Sequence, residues 1–252
     1  MNETNPLIPP PIPPVQPPVA PPESDPRDKV PITGAASAIE SMLRQPRRVF
    51  HQLHGNSSAK IILLLFAVGA ACALVYGLVV GTFSGGAQLW AAPAKIAGGM
   101  LVCALICLPS LYIFSCLSGS QARLIEVVGL VAGLLGLTTI LLIGFAPVAW
   151  VFSQSTSSIV AMGALHLVFW SVATIFGWRF LRNGFAHLNA RSSGALYIWF
   201  LIFVVVCLQM TTALRPIVGT SEKFFPTEKK FFFAHWIDVC DSPKGARLPA
   251  QQ

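Results

Sequence analysis

The chain has 252 residues, of which 54% are apolar and only 11% are charged. Because soluble domains carry about a quarter of charged residues, this composition excludes an ordinary soluble domain and predicts an all-α bundle of helices in a membrane. The formal net charge is +7, but the basic residues flank apolar runs, where they set topology and contact anionic lipids. We therefore expect membrane lipids, and not nucleic acid, as the partners of these charges.

The first segment, residues 1–37, is a proline-rich arm. Twelve prolines lie within residues 1–31, several of them in clusters. Because proline has no N–H group to donate, the arm is predicted to be disordered and extended. Such arms bind aromatic-lined grooves of other domains, which predicts an unknown protein partner; the alternative is a plain spacer.

Residues 38–56 show the period of an amphipathic helix. Charged residues lie off its apolar face, which consists of Ile39, Met42, Leu43, Pro46, Phe50 and Leu53. Pro46 has no amide for an interior hydrogen bond, so it should kink this helix or begin a second one. We expect an interfacial helix on the cytoplasmic membrane surface, with packing on the cytoplasmic ends of the spans as the alternative. The residues predicted to bind lipid or a partner are Arg44, Arg47, Arg48 and Phe50.

Residues 57–216 contain five apolar runs, each long enough to cross a bilayer. The runs cover residues 61–83, 96–117, 127–152, 158–178 and 195–214. The third run is the longest and contains Pro147, so its helix should tilt, or kink and end near Trp150. The sequence thus predicts a polytopic bundle of about five transmembrane helices.

Lysine and arginine near the span ends predict the topology. One side of the spans holds most of them, namely Arg44, Arg47, Arg48, Lys60, Arg123, Arg179, Arg182 and Arg191. Since cytoplasmic loops are rich in these residues, the N-terminus should be cytoplasmic and, after five spans, the C-terminus outside. The basic residues that follow the fifth run act against this assignment. The chain shows no cleavable signal and no disulfide pattern, which favours a bacterial inner membrane.

The last segment, residues 217–252, interleaves phenylalanine and tryptophan with lysine. Aromatic and cationic side chains are both favoured at the depth of lipid headgroups. We therefore predict an aromatic and basic tail that is held at the membrane interface.

Small residues recur at every fourth position of the first run: Gly69, Ala73, Gly77, Gly81 and Gly85. The same spacing separates two glycines of the third run, Gly129 and Gly133. Small residues let helices approach closely, and such packing is a main cause of helix association in lipid. We predict helix-packing roles for them, either within the chain or between chains, which leaves a homo-oligomer open.

Few polar residues lie at membrane depth. His166 in the fourth run and Gln209 in the fifth form a candidate intramembrane polar site, because such groups are costly there and are often functional. The alternative is that they only connect helices by hydrogen bonds.

The sequence predicts no catalytic residues. An intramembrane serine protease would need a glycine-rich turn around its serine, whereas Ser118-Gly119 lies at the end of a run. Metalloprotease, phosphate-loop and dinucleotide motifs are absent, and the six cysteines form no Cys-x-x-Cys pair. His51 and His54 have no carboxylate or cysteine near them in the sequence to complete a metal site. We expect no cofactor, no metal and no enzymatic activity.

The order of these segments resembles that of the Ypt-interacting-protein (Yip) family in its bacterial form. The shared features are a cytoplasmic proline-containing arm, a segment of the type Arg-x-Pro-Arg-x-x-Phe, and five closely spaced spans with the C-terminus outside. In this chain the matching segment is Gln45-Pro46-Arg47-Arg48-Val49-Phe50. The Asp-Leu-Tyr-Gly-Pro signature of the eukaryotic branch is absent, so the resemblance does not imply a role with Rab GTPases.

The segments and the resemblance together indicate a non-enzymatic membrane scaffold or adaptor. It would recruit partners through its cytoplasmic arm and its interfacial helix. The alternative is a small transporter or channel subunit that uses His166 and Gln209. For an adaptor, loss of the N-terminal segments should remove function; for a transporter, substitution of His166 should.

Overall fold

The computed structural model describes residues 26–55, 58–84, 86, 88–188, 190 and 194–213, and the regular elements among them are helical. A 3-10 helix, Pro26–Lys29, comes first. Seven α-helices follow in this part of the chain: α1 (Ala35–Arg44), α2 (Pro46–Leu53), α3 (Ser58–Ser84), α4 (Gln88–Leu117), α5 (Leu124–Ser155), α6 (Ile159–His187) and α7 (Gly194–Ala213). The predicted all-α fold is confirmed. Most of the predicted arm and all of the predicted tail lie outside the described residues.

Four of these helices, α3 to α6, are long and apolar enough to cross a membrane. They contain the first four apolar runs, so the chain is a multi-pass membrane protein. α7 contains the fifth run, but its described apolar part, Gly194–Met210, is shorter than the other four. A fifth crossing therefore stays a prediction.

The helices extend beyond the apolar runs that predict them. α4 begins at Gln88, well before residue 96, so Lys95 is a buried residue inside this helix and not a loop residue. α6 continues past Trp178 and Arg179 to His187. These added turns of α6 have one buried face, so packing keeps them helical after the continuous apolar run has ended.

α5 is the central helix of the bundle. Its 32 residues continue through Pro147 to Ser155, so the helix does not end near Trp150. At 1.5 Å per residue it is roughly 48 Å long, which exceeds the ~30 Å hydrocarbon core, and tilt or extra turns outside that core must take up the difference. Residues 131–139 are all buried, so other helices surround α5 at this level.

The neighbours of α5 define the layout of the bundle. α3 runs parallel to α5, because Gly69 meets Gly136 and, nearer to the start of both helices, Ile62 meets Gly129. α6 packs antiparallel on another side of α5. α4 packs on α3, and α7 packs on α4. The starts of α3, α5 and α7 and the ends of α4 and α6 therefore lie at one end of the bundle.

Candidate functional site

One end of the bundle collects the basic side chains, and we call it the basic end. It holds the starts of α3 and α5, the end of α6, and the helices α1 and α2. Its exposed cations are Arg44, Arg47, Lys60, Arg123, Arg179 and Arg182. Towards the opposite end, the described residues include a single charged side chain, Lys95, and it is buried. The charge bias of the sequence is thus a property of one surface of the folded bundle.

α1 and α2, which we call the α1–α2 pair, are docked on this end. The break between them falls at Gln45, and Pro46 takes the first position of α2, where proline is favoured. Met42, Phe50 and Leu53 are buried in contacts with α3, α5 and α6. Three members of the apolar face that was expected to lie on the membrane surface therefore pack on the bundle, as in the alternative interpretation, while Leu43 is 49% exposed.

Phe50 anchors α2 to α6. Its ring centroid lies 4.9 Å from that of Phe180, and only 5% of its surface is exposed. Gly184 of α6 leaves room for this ring, since a Cβ atom at Gly184 would lie 3.1 Å from it. Phe50 was predicted to bind lipid or a partner, but it is a core residue of the docked pair. The sequence analysis did not identify Gly184. Its signal is helical spacing: Gly184 lies four residues after Phe180, on the buried face of α6 that continues beyond Arg179.

Glu126 joins the end of α2 to the start of α5. Its side chain is 2% exposed and accepts a hydrogen bond from the Arg123 amide at 2.7 Å. One carboxylate oxygen also lies 3.0 Å from Nη2 of Arg123 and 2.8 Å from Nδ1 of His54. Such charge-assisted contacts are among the stronger hydrogen bonds in proteins. The fold therefore supplies the carboxylate that His54 lacks in the sequence, from a helix far along the chain.

The three predicted arginines have different surroundings. Arg44 and Arg47 are exposed and make no hydrogen bond or ion pair with the described residues. Arg48 instead donates hydrogen bonds to the carbonyls of Val30 and Pro31, at 2.7 and 2.9 Å. Arg48 is thus engaged inside the chain, whereas Arg44 and Arg47 are exposed at the basic end.

The small residues of α3 contact two different helices. Gly69 faces α5, where an added Cβ atom would lie 3.2 Å from the Cα atom of Gly136. Gly77 faces α4, and an added Cβ atom would collide there with the backbone of Pro93. Four residues turn a helix by about 400°, so each step of the repeat moves about 40° around α3. The other described members of the repeat are also buried: Ala73 and Gly81.

The two predicted glycines of α5 also receive side chains of the same chain. Leu53 of α2 occupies the space beside Gly129, and the Phe180 ring of α6 occupies the space beside Gly133. A Cβ atom at either glycine would collide with that neighbour. These glycines therefore pack helices within one chain, and their contacts do not point to a homo-oligomer.

His166 is paired with Tyr76 of α3 and not with Gln209. Tyr76 Oη lies 2.7 Å from His166 Nδ1, and both side chains are buried. His166 Nε2 has no hydrogen-bond partner among the described residues, so no hydrogen bond joins it to Gln209. If Tyr76 donates to Nδ1, only the Nε2–H group is left unpartnered, whereas the reverse roles would leave two groups unpartnered. We therefore assign Tyr76 as the donor, because this arrangement leaves fewer buried polar groups without a partner.

Two small cavities lie between the described spans. One is lined by residues of α4, α5, α6 and α7, among them Cys207, and another by residues of α3, α4 and α5 around Gly69. Each has room for about one water molecule, and His166 lines neither of them. The described residues also contain no group of three His, Cys, Asp or Glu side chains that could hold a metal ion.

Comparisons of the chain with protein-family models, with curated proteins and with solved structures find no match. The basic end is the most distinctive surface among the described residues. A group of exposed guanidinium and ammonium groups can bind phosphate or carboxylate groups.

Proposed function

We propose that this chain is a non-enzymatic membrane scaffold or adaptor that recruits partners through its N-terminal arm and the α1–α2 pair. One observation carries the proposal: the pair is docked with Met42, Phe50 and Leu53 buried and with Arg44 and Arg47 exposed. A basic surface is thereby placed at one end of a multi-pass bundle, beside the C-terminal end of the arm. The Yip-like order of the segments supports the same function.

Cations at the end of a membrane bundle lie near the lipid headgroups. Each basic residue close to an anionic bilayer contributes about 1 kcal/mol to binding it. Arg44 and Arg47, together with Lys60 of α3, can therefore bind anionic lipid or an acidic partner segment. By the positive-inside rule the same residues favour a cytoplasmic basic end, with the N-terminus in the cytoplasm of a bacterium. If α7 also crosses, the C-terminus lies outside.

The test must leave the bundle intact. Deletion of residues 1–53 would remove Met42, Phe50 and Leu53 from the core, so loss of a partner could then reflect unfolding. The better variants are a chain that lacks residues 1–25 and a chain with Arg44→Gln and Arg47→Gln. A photo-crosslinking amino acid at exposed Leu43 would capture neighbours in intact membranes, and mass spectrometry would identify them.

Two controls match these variants. Arg179→Gln with Arg182→Gln removes the same charge from α6 at the basic end, outside the α1–α2 pair, and a crosslinker at exposed Trp90 reports on the opposite end. We expect a specific partner at Leu43 that is lost in at least one test variant and retained in the matched control. A partner profile at Leu43 that neither test variant changes would overturn the proposal.

One observation favours the second candidate, a small transporter or channel subunit that uses His166 and Gln209. The Nε2 atom of His166 is buried without a partner among the described residues, and unpartnered polar groups in the membrane are costly. Proteoliposomes loaded with a pH-sensitive dye would test for proton flux. Flux that disappears in His166→Gln, with partner capture unchanged, would favour the transporter over the adaptor.

A further inference from the structure

Residues 30–32 lie along α2 and are held there by two side chains, Arg48 and Gln52, which we call the α2 clamp. Arg48 Nε donates to the Val30 carbonyl at 2.7 Å, and Arg48 Nη2 donates to the Pro31 carbonyl at 2.9 Å. Gln52 Nε2 donates to the same Val30 carbonyl at 2.8 Å. Gln52 Oε1 in turn accepts from the Ile32 amide at 3.2 Å. Four hydrogen bonds thus connect two side chains with three consecutive residues.

The clamp contacts the main chain of this segment. Arg48 and Gln52 are four residues apart, so they project from the same face of α2. The guanidinium fork donates to two successive carbonyls, and the amide of Gln52 both donates and accepts. Pro31 has no N–H group, so its carbonyl is its one main-chain hydrogen-bonding group, and Arg48 satisfies it. The clamp thus binds main-chain groups of a non-helical segment that contains a proline.

The clamp also connects this segment to α1. Arg48 Nη2 lies 3.3 Å from Ser37 Oγ, in the first turn of α1. Ile32 packs against the buried core, so the segment is held from both sides. The next arginine, Arg47, has the same charge and is exposed without such contacts. The geometry therefore separates two adjacent arginines into one that organises the chain and one that faces outward.

We infer that Arg48 and Gln52 are positioning residues that fix the C-terminal end of the N-terminal arm, residues 30–32, to the basic end. A partner bound to the arm is thereby held beside Arg44 and Arg47, and arm and basic surface act on it together. Without the clamp, the arm would leave the bundle from Gly34, the residue before α1, and its position would no longer depend on α2. This inference rests on the proposed recruiting function of the arm, but the clamp itself is tested without any partner.

The test is hydrogen–deuterium exchange of the full chain in lipid nanodiscs, read at single residues. The Ile32 amide is the direct reporter, because its acceptor is Gln52 Oε1. We expect at least tenfold faster exchange at Ile32 in Arg48→Ala and in Gln52→Ala, and no change in Arg47→Ala. Arg48→Lys keeps the positive charge and N–H donors but lacks the planar fork that donates to two successive carbonyls, so it should retain part of the protection.

Unchanged exchange at Ile32 in both Arg48→Ala and Gln52→Ala would overturn the inference. The same experiment reports whether the variants fold, since the amides of α2 and α5 should keep their protection. Gln52→Ala is the second variant in case Arg48→Ala undocks α2. The two proposals can fail separately. If Ile32 loses protection in the two alanine variants but the crosslinking experiment finds no partner that depends on the arm or on Arg44 and Arg47, the adaptor proposal is wrong and the clamp is retained.

Discussion

α5 and α7 are both apolar along almost their whole length, yet α5 lies at the centre of the bundle and α7 lies at its edge. In the window of α5 that could cross the membrane, 72% of the residues are buried. α7 buries one stripe, formed by Leu196, Trp199 and Phe203, and packs mainly on α4. Hydropathy alone would not tell these two helices apart.

The difference lies in the size of the side chains. In lipid there is no hydrophobic driving force between helices, so close packing of small residues and interhelical hydrogen bonds decide which helices meet. α5 has Gly129, Gly133 and Gly136 in its buried half, and each receives a neighbouring helix or side chain. After Gly194, α7 has no glycine in the described residues and is rich in aromatic and branched side chains. Small residues therefore mark the centre of this bundle.

The largest expected effect comes from filling the centre. In Gly133→Leu the new side chain collides with Phe180, which is itself buried, so α5 and α6 must separate. We expect a loss of about 3 kcal/mol in the free energy of unfolding, measured by denaturant titration in bicelles. Gly144→Leu is the control within the same helix, because no atom lies within 4 Å of an added Cβ there. Equal losses in the two variants would contradict the central position of α5.

A smaller effect should follow at the start of α5. Glu126→Leu removes the acceptor of the Arg123 amide and the contact with His54, while the leucine keeps the site filled. Hydrogen bonds to charged groups contribute about 2 kcal/mol, and we expect a loss of that size, with faster amide exchange in α2. Exposed Glu40→Leu should change neither quantity. Undiminished protection of α2 would mean that Glu126 does not hold the α1–α2 pair.

The hydrogen bond between Tyr76 and His166 should contribute less to the free energy of unfolding than Glu126 does. Tyr76→Phe removes the only side-chain hydrogen bond of His166 in the described residues and keeps the shape of the ring. Side-chain hydrogen bonds in membranes contribute about 1 kcal/mol, which is the expected loss of unfolding free energy. Tyr112→Phe, at an exposed position, should be neutral. Nitrogen-15 NMR of His166 should show a proton on Nε2 in the parent chain; a proton on Nδ1 would contradict the donor role of Tyr76.

The smallest effect is expected at α7. Trp199→Phe removes the hydrogen bonds from Nε1 to the Cys107 carbonyl at 3.1 Å and to Ser110 Oγ at 3.2 Å. We expect a loss of about 0.5 kcal/mol in the free energy of unfolding, because α7 can separate from α4 while α3 to α6 stay packed. Trp90→Phe is the control, since this side chain is 77% exposed. A loss as large as that of Gly133→Leu would show that α7 belongs to the centre of the bundle after all.

The spanning helices could be predicted because they depend on local composition. A run of about twenty apolar residues has few alternatives to a helix in lipid, so the first four runs became α3 to α6. The ends were less predictable, since Lys95 is buried inside α4 and the last turns of α6 are held by Phe50. The start of α4 and the end of α6 both depend on packing between distant segments, which cannot be read from the hydrophobic period of one segment.

The site was predicted in composition but not in arrangement. Arg47 and Arg48 are equivalent in the sequence, and only the path of residues 30–32 distinguishes them. Tyr76 was missed because 90 residues separate it from His166, and a tyrosine in an apolar run gives no local signal. The repeat of small residues was predicted, but its division between α4 and α5 follows from the mismatch between four residues and one helical turn.

The docking of Phe50 on Phe180 has a consequence for synthesis. The two residues are roughly 130 positions apart, and a ribosome adds about 5–20 residues per second, so α2 is made on the order of 10 s before its partner in α6. During that interval α3 and α5 can cover Met42 and Leu53, but Phe50 lacks its partner in α6, and the bilayer surface is the nearest apolar medium for its ring. We therefore expect Phe50 to contact the membrane surface until α6 is complete.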